Sequence, residues 1–380
     1  GRLMRRRSKL IGAELVKGIE RMSTFRPRFR PNRRSVLKGT GALFAGLTFL
    51  PRFSMAAEEK KLNFYNWDTY IGENTLAEFT EATGIEVKMD LYADNDELFA
   101  KLKGGNPGYD VIVPTNDYLE RMIKADMVIP LDHSKIPNMA NIDPLFQDAT
   151  FDPGRKYSIP YMWGTVGIGF RKSAVSATPD SWKVLLDSDE YAGAISLLSD
   201  QSNVLGAGLK YLGYSWNSTN ADELKKVEDL LIKQKKNIKV FAPDNGQDLL
   251  ASGEVKLCQE WNGDIKQVMS EDEDLGYIVP KEGSLVWQDT LAIPKGAPHP
   301  ENAMAFLNFI LDAKEGAGIA ETIQYATTNK AAKELMPAEY KDSPVIFPPA
   351  DILAKCEPNL YLGEEAIKQR DEIWTRIRAS

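Results

Sequence analysis

Residues 62–114 read LNFYNWDTYIGENTLAEFTEATGIEVKMDLYADNDELFAKLKGGNPGYDVIVP, and the spacing of apolar residues along this stretch decides the fold. Residues 62–65 form a short apolar run, 74–83 carry helical spacing, and Ile85, Val87, Met89 and Leu91 alternate as a half-buried strand would. A second helix is predicted over 95–103, followed by the continuous apolar run at 109–114. Asn74 and Asn95 stand where helix N-caps belong, and Gly84 and Gly104 where helices stop. Strand and helix in alternation are the signature of a doubly wound α/β sheet. The same alternation resumes after a proline-bearing connection at 130–160, with strands predicted at 194–199, 238–241 and 255–260 and helices at 203–212 and 221–235. Two long extended stretches, WGTVGIGF at 163–170 and SLVWQDTLAIP at 284–294, read as an outward and a return crossing. The chain is therefore expected to form two lobes, residues 58–166 with 288–333 and residues 167–287 with 334–380. A helix at 301–312, with Ala303, Phe306, Leu307 and Ile310 on one face, should pack on the first lobe. A last helix at 364–378, with Ile367, Trp374 and Ile377 on one side, should close the second.

The chain has 380 residues, 43% hydrophobic and 27% charged, enough to bury a sizeable core. Its net charge of -7 conceals an asymmetry. Residues 1–57 carry 14 Lys and Arg against Glu14 and Glu20, which leaves 33 basic and 52 acidic residues, or -19, for the remainder. NRRSVLK at 32–38, an apolar run at 39–50 and the small residues Ser54, Ala56 and Ala57 resemble a twin-arginine export signal cleaved near Ala57. The apolar run is too short to span a bilayer of about 30 Å. The remainder is expected to work in the periplasm as a monomer with no membrane anchor after cleavage, its acidity repelling nucleic acid and anionic lipid and attracting cations.

Cys258 lies in a strand-like run and reads as a buried thiol, which favours free cysteines over a disulfide with Cys356. His133 and His299 are the only histidines, both in polar, proline-bearing surroundings that read as surface. A histidine-based metal site or catalytic triad therefore lacks its parts. No catalytic residue, metal ligand or cofactor is assigned.

Ligands of open α/β sheets collect at the carboxyl ends of strands. The residues standing there are Trp67, Asp68 and Tyr70; Thr115, Asn116 and Asp117; Asp200 and Gln201; Trp261 and Asp264; and, on the return crossing, Trp287 and Asp289. Any one of them has an ordinary explanation, since a lone Trp packs in a core and a lone Asp such as Asp117 or Asp200 caps a helix. Their repetition in both halves points to a cleft. Indole faces cover methylenes and attract cations, while carboxylates accept charge-assisted hydrogen bonds from ammonium groups, so the set fits a small aliphatic cation.

At these positions the chain resembles the periplasmic spermidine/putrescine-binding proteins of ABC importers. The resemblance runs through FYNWDTY at 64–70, YDVIVPT at 109–115, YSIPYMWG at 157–164, LGY at 212–214, WNGD at 261–264, PKEG at 280–283, WQDTLAIP at 287–294 and ETIQY at 321–325. It implies the two-lobed, type II periplasmic-binding-protein fold, with the ligand held between the lobes by hinge closure and passed to a membrane permease. It also implies an aromatic box of Trp67, Tyr70, Trp261, Trp287 and Tyr325, a hydroxyl from Thr115, and amine-binding carboxylates at Asp200, Asp264 and Asp289. Three positions depart from the family pattern. Asn203 stands where relatives commonly carry Glu, Asp68-Thr69 places the acid one position early, and Asp117 replaces an aromatic or uncharged residue, either restoring the lost charge or capping the following helix.

Other readings remain at this point. The same fold could hold 4-aminobutyrate, an amino acid or a sugar, although the strand ends supply no Arg or Lys for a ligand carboxylate. The same pocket could serve sensing. Carboxylates flanked by Trp also occur in glycoside hydrolases, but no pair here is singled out as acid and base.

Overall fold

The computed structural model describes residues 57–380; apart from Ala57, the leader reading of residues 1–57 lies outside the described residues. The first half builds β1 (Lys61–Trp67), α1 (Thr75–Thr83), β2 (Glu86–Tyr92), α2 (Asn95–Lys103), β3 (Val111–Ile112) and α3 (Asn116–Lys124). The long strand β4 (Ser158–Arg171) follows. The second half builds α4 (Lys183–Leu186), β5 (Ile195–Leu198), α5 (Gln201–Tyr211), α6 (Ala221–Gln234), β6 (Ile238–Ala242), α7 (Gly246–Ser252), β7 (Leu257–Trp261), α8 (Asn262–Met269) and β8 (Leu275–Ile278). The chain returns through β9 (Leu285–Ala292) into α9 (Pro300–Ile310) and α10 (Ala313–Ile323), and ends in the helix Glu364–Ala379.

The strands follow the order β2-β1-β3-β9-β4-β7-β5-β6. β1 pairs in parallel with β2 and β3, and β5 in parallel with β6 and β7. The crossing strands run against their neighbours: β9 is antiparallel to β3 and β4, and β4 to β7 and β8. β4 serves both lobes, its residues up to Thr165 pairing with β9 and those from Val166 onward with β7 and β8. Strands buried on both faces need the near-continuous apolar runs seen at 109–114 and 195–198.

One continuous apolar core runs through both lobes. In the first, Phe64 and Phe79 meet Phe306 of α9 at ring distances of 5.2 and 5.1 Å, and Ala303, Leu307 and Ile310 are buried beside it, as the helical spacing predicts. In the second, Trp182 and Trp216 are fully buried, with Gly206 of α5 lying so close to the Trp216 indole that a Cβ there would collide with it. Trp374 and Ile377 of the last helix are buried, Trp374 edge-on to Phe241 at 5.0 Å, while Ile367 is half-buried.

Two expectations change. Asn95 does not cap α2: Asp94 does, its carboxylate accepting from Glu97 N at 2.8 Å, because Asp94 is the extended residue that precedes the helix. His299 is buried rather than on the surface. It bonds Asp110 through its backbone N–H at 2.7 Å and Nδ1 at 3.0 Å, while Asn63 N also donates to Asp110. Asp110 opens β3, so this cluster ties β1, β3 and the start of α9 together. His133 is exposed. Cys258 is buried and both cysteines are free.

Candidate functional site

Eleven of the thirteen candidate residues line one cavity between the lobes, namely Trp67, Asp68, Tyr70, Thr115, Asp117, Asp200, Trp261, Asp264, Trp287, Asp289 and Tyr325; Asn116 and Gln201 do not. With its open mouth the space between these side chains is about 610 Å³. None of the described residues lining it is Lys or Arg. No group of three or more His, Cys, Asp and Glu among the described residues is disposed to hold a metal ion.

Backbone order explains the convergence. β1, β3 and β9 lie side by side, and Thr115 and Asp289 are themselves bridged. Thr115 occupies the N-cap position of α3 without capping it. Its hydroxyl instead donates to Asp289 Oδ1 at 2.7 Å, and Asn95, released from capping, donates to that hydroxyl at 2.9 Å. Tyr70 donates to the other oxygen, Oδ2, at 2.7 Å. Burial pushes the Asp289 carboxyl up to about 7, against the pull of these two hydroxyls.

The facing wall comes from β6, β7 and α8. Trp261 ends β7 and meets Trp67 edge-on at 6.0 Å, one indole from each lobe. Trp67 is fixed by its indole N–H, which donates to Val113 O at 2.9 Å. Tyr325 packs edge-on to Tyr70 and Trp287 at 5.4 and 5.3 Å, and its hydroxyl accepts from Asp264 N at 3.2 Å. Gly263 makes room for this: a Cβ there would run into the Tyr325 ring. Gly164 does the same for Trp287, whose Cζ2 would lie 2.6 Å from a Cβ. The Trp287 indole N–H is buried with no protein partner.

Asp264 is pushed up to about 7 by burial, pulled down by Tyr325, and raised further by Asp68, Asp248 and Asp289. Asp244 reaches about 10 through burial and the repulsion of Asp264 and Glu260. Behind them Glu260 is wholly buried and raised well above its ordinary value by burial and Asp264. At the other end Asp117 rises to about 8 through burial and Asp200, and one of its oxygens is buried without a partner. Asp200 rises to about 7 through burial and then Asp96, even though it caps α5 by accepting from Asn203 N at 3.0 Å. The capping reading of Asp200 is thus correct without removing it from the cavity. Buried carboxyls raised in this way are ones whose charged forms a nearby cation would stabilise.

Seven further residues line the cavity: Asn95, Tyr118, Ser202, Asn203, Asp244, Leu285 and Asn359. Asp244 was within reach, because it follows β6 as Asp264 follows β7 and the strand-end rule applies to it equally. Asn359 gave no signal. It is carried in by the pairing of residues 357–358 with β9.

The model of the bacterial extracellular solute-binding protein family matches residues 74–348. The chain is similar to a putrescine-binding periplasmic protein of Escherichia coli (strain K12), 35% identical over 345 residues, which cover 86% of this chain and 93% of that protein. It is also similar to a spermidine/putrescine-binding periplasmic protein of Salmonella typhimurium, 36% identical, with 90% of this chain and 97% of the relative covered. Among solved structures it resembles a spermidine/putrescine ABC transporter substrate-binding protein from Streptococcus pneumoniae, with a TM-score of 0.71 and 34% identity over 84% of this chain and 99% of that one.

Proposed function

We propose that this chain, which belongs to the bacterial extracellular solute-binding protein family, captures polyamines such as putrescine or spermidine outside the cytoplasm and delivers them to the membrane permease of an ABC importer. One observation carries the reading: aromatic faces and six aspartates, Asp68, Asp117, Asp200, Asp244, Asp264 and Asp289, line one cavity that none of its described lining residues neutralises. Methylenes lie against Trp67, Trp261, Trp287 and Tyr325, and ammonium groups meet the carboxylates. Tyr70 and Thr115 hold Asp289 with both oxygens aligned, so this carboxylate is oriented before the ligand arrives. The ligand relatives bind, as their names give it, supports the same assignment.

The lobes divide at residues 166/167 and 287/288, with 334–380 completing the second lobe, and ligand capture closes them as a hinge. The change of β4 partners at Thr165 and Val166 supports the first boundary. The leader at 1–57 directs export by the twin-arginine route, and the exported chain works in the periplasm as a monomer, binding its ligand without transforming it.

The test is a calorimetric panel of diamines, triamines, amino acids and sugars against the purified chain. Amines are expected to bind and to raise the melting temperature, adding about 2.7 kcal/mol at a ligand concentration 100 times Kd. Silence with every amine, or preference for a sugar or amino acid, refutes the assignment.

A further inference from the structure

We propose that Asn116 and Asn262 are positioning residues of the hinge: each is an amide clasp tying its own lobe to the other, and together they hold the lobes closed on the captured amine. This rests on the two-lobed, amine-capturing reading given above. Neither side chain lines the cavity, although Asn116 stands between Thr115 and Asp117, and Asn262 directly follows Trp261. The two occupy matching places, since α3 of the first lobe begins at Asn116 and α8 of the second at Asn262. An asparagine there is one residue too late to cap its helix. Both amides turn instead to the strands that cross between the lobes.

Asn116 and Asn262 are both buried. The Oδ1 of Asn116 accepts from Gln288 N at 3.1 Å, on the first-lobe side of the division, and its Nδ2 donates to Asn359 O at 2.8 Å, on the second-lobe side. Asn262 mirrors this: its Nδ2 donates to Val345 O at 2.8 Å within the second lobe, and its Oδ1 accepts from Thr165 N at 3.1 Å across the division. Each amide thus uses one end on its own lobe and the other on its neighbour. β4, β9 and the last segment of chain are all held. Gly164 leaves room for this, because a Cβ there would collide with the Asn262 amide oxygen.

These bonds are made while the cleft walls meet, with Trp67 against Trp261 at 6.0 Å and Asp264 N on the Tyr325 hydroxyl at 3.2 Å. Swinging one lobe about β4 and β9 carries Asn359 away from Asn116 and Thr165 away from Asn262, because the partners belong to different bodies. Each bond broken in this way strands a buried amide group and a buried backbone group together, a costly state. The clasps therefore stabilise the closed arrangement without touching the ligand. Losing one lets the closed lobes reopen sooner and leaves encounter with the open cleft unchanged, so the effect falls on koff and not on kon. Arg121 and Glu364 also meet across the division, at 2.7 Å, but Glu364 is largely exposed and a pair of that kind contributes little.

The test is stopped-flow tryptophan fluorescence of the full chain with putrescine and with spermidine, for the wild type, Asn116→Ala, Asn262→Ala and Leu307→Ala. Each asparagine variant is expected to raise koff about tenfold while kon stays within about twofold of the wild type. Leu307→Ala removes a buried leucine of α9 away from the division, so it lowers the melting temperature but should leave koff within about twofold. If an alanine variant does not fold, Asn116→Ser or Asn262→Ser, too short to reach both partners, carries the same expectation. A koff that stays within about twofold in both asparagine variants, or that rises equally in Leu307→Ala, overturns the clasps while leaving the amine reading intact. Failure of the wild type to bind either amine overturns the amine reading itself.

Discussion

Asp289 and Asp264 face one another across the same cavity and titrate in the same range, but for different reasons. Asp289 is raised by burial alone and is opposed by two hydroxyl donors. Asp264 is raised by burial and by neighbouring acids, with Asp244 and Glu260 crowded against it. One wall is therefore satisfied before the ligand comes, and the other carries more negative charge than its own donors can settle. Under the proposed function, the satisfied wall fixes where an ammonium goes and the crowded wall supplies the attraction that closes the lobes on it.

The largest expected effect is on affinity. Asp289→Asn should weaken amine binding by about 2–5 kcal/mol, because the charge is lost and an amide cannot accept well from both Tyr70 and Thr115. Asp264→Asn should fall near the lower end, about 2 kcal/mol, since Asp244 and Glu260 leave negative charge behind. Calorimetry of both variants checks this, and equal losses would break the distinction between the walls. Next comes Gly263→Ala, whose methyl group collides with Tyr325. Overpacking of this kind costs about 1–3 kcal/mol of stability, and the displaced ring should lower amine affinity as well, readable by thermal melting and titration of the same sample.

A smaller contrast lies in the empty protein. At pH 8, Asp289→Asn should be close to neutral in unfolding free energy, because the relief of a buried carboxylate offsets the acceptor that Tyr70 and Thr115 lose. Asp244→Asn should be neutral or stabilising by up to about 1 kcal/mol, because a repelled carboxylate is removed. Urea melts at fixed pH check both. The gentlest effect is the pH dependence. Asp117, Asp200, Asp264 and Asp289 titrate at about 8, 7, 7 and 7 in the folded chain, against roughly 3.9 when unfolded. Between about pH 4 and 8 the empty folded chain thus holds more protons than the unfolded one, so the cleft's contribution to stability declines as pH rises through that window. Amine binding needs the charged forms, so affinity should climb from pH 6 to 8 and binding near neutrality should release protons, seen as a binding enthalpy that varies with buffer ionisation heat.

The fold was legible because the hydrophobic period switches cleanly between strand and helix and because two extended runs of 8 and 11 residues, at 163–170 and 284–294, stand apart from both patterns. The cavity was legible through one rule, that site residues follow strands. Where that rule was left unused, at Asp244, a member was missed. Tyr325 follows α10 and a left-handed Gln324 rather than a strand, so only the resemblance pointed to it. His299 looked like surface because its partner, Asp110, is 189 residues away, a distance that local pattern does not cross. Asn95 looked like a cap because one residue's shift in a helix start is invisible to spacing. That shift frees it to orient Thr115.

Titrating the chain with putrescine at pH 7 in two buffers of different ionisation enthalpy reads the central claim directly, because it measures amine capture and the fate of the carboxyl protons together. Saturable binding accompanied by proton release is the predicted result, with both signals reduced in Asp289→Asn. Binding that takes up protons, or heats indistinguishable from dilution, would contradict a cleft whose buried aspartates exist to receive ammonium groups.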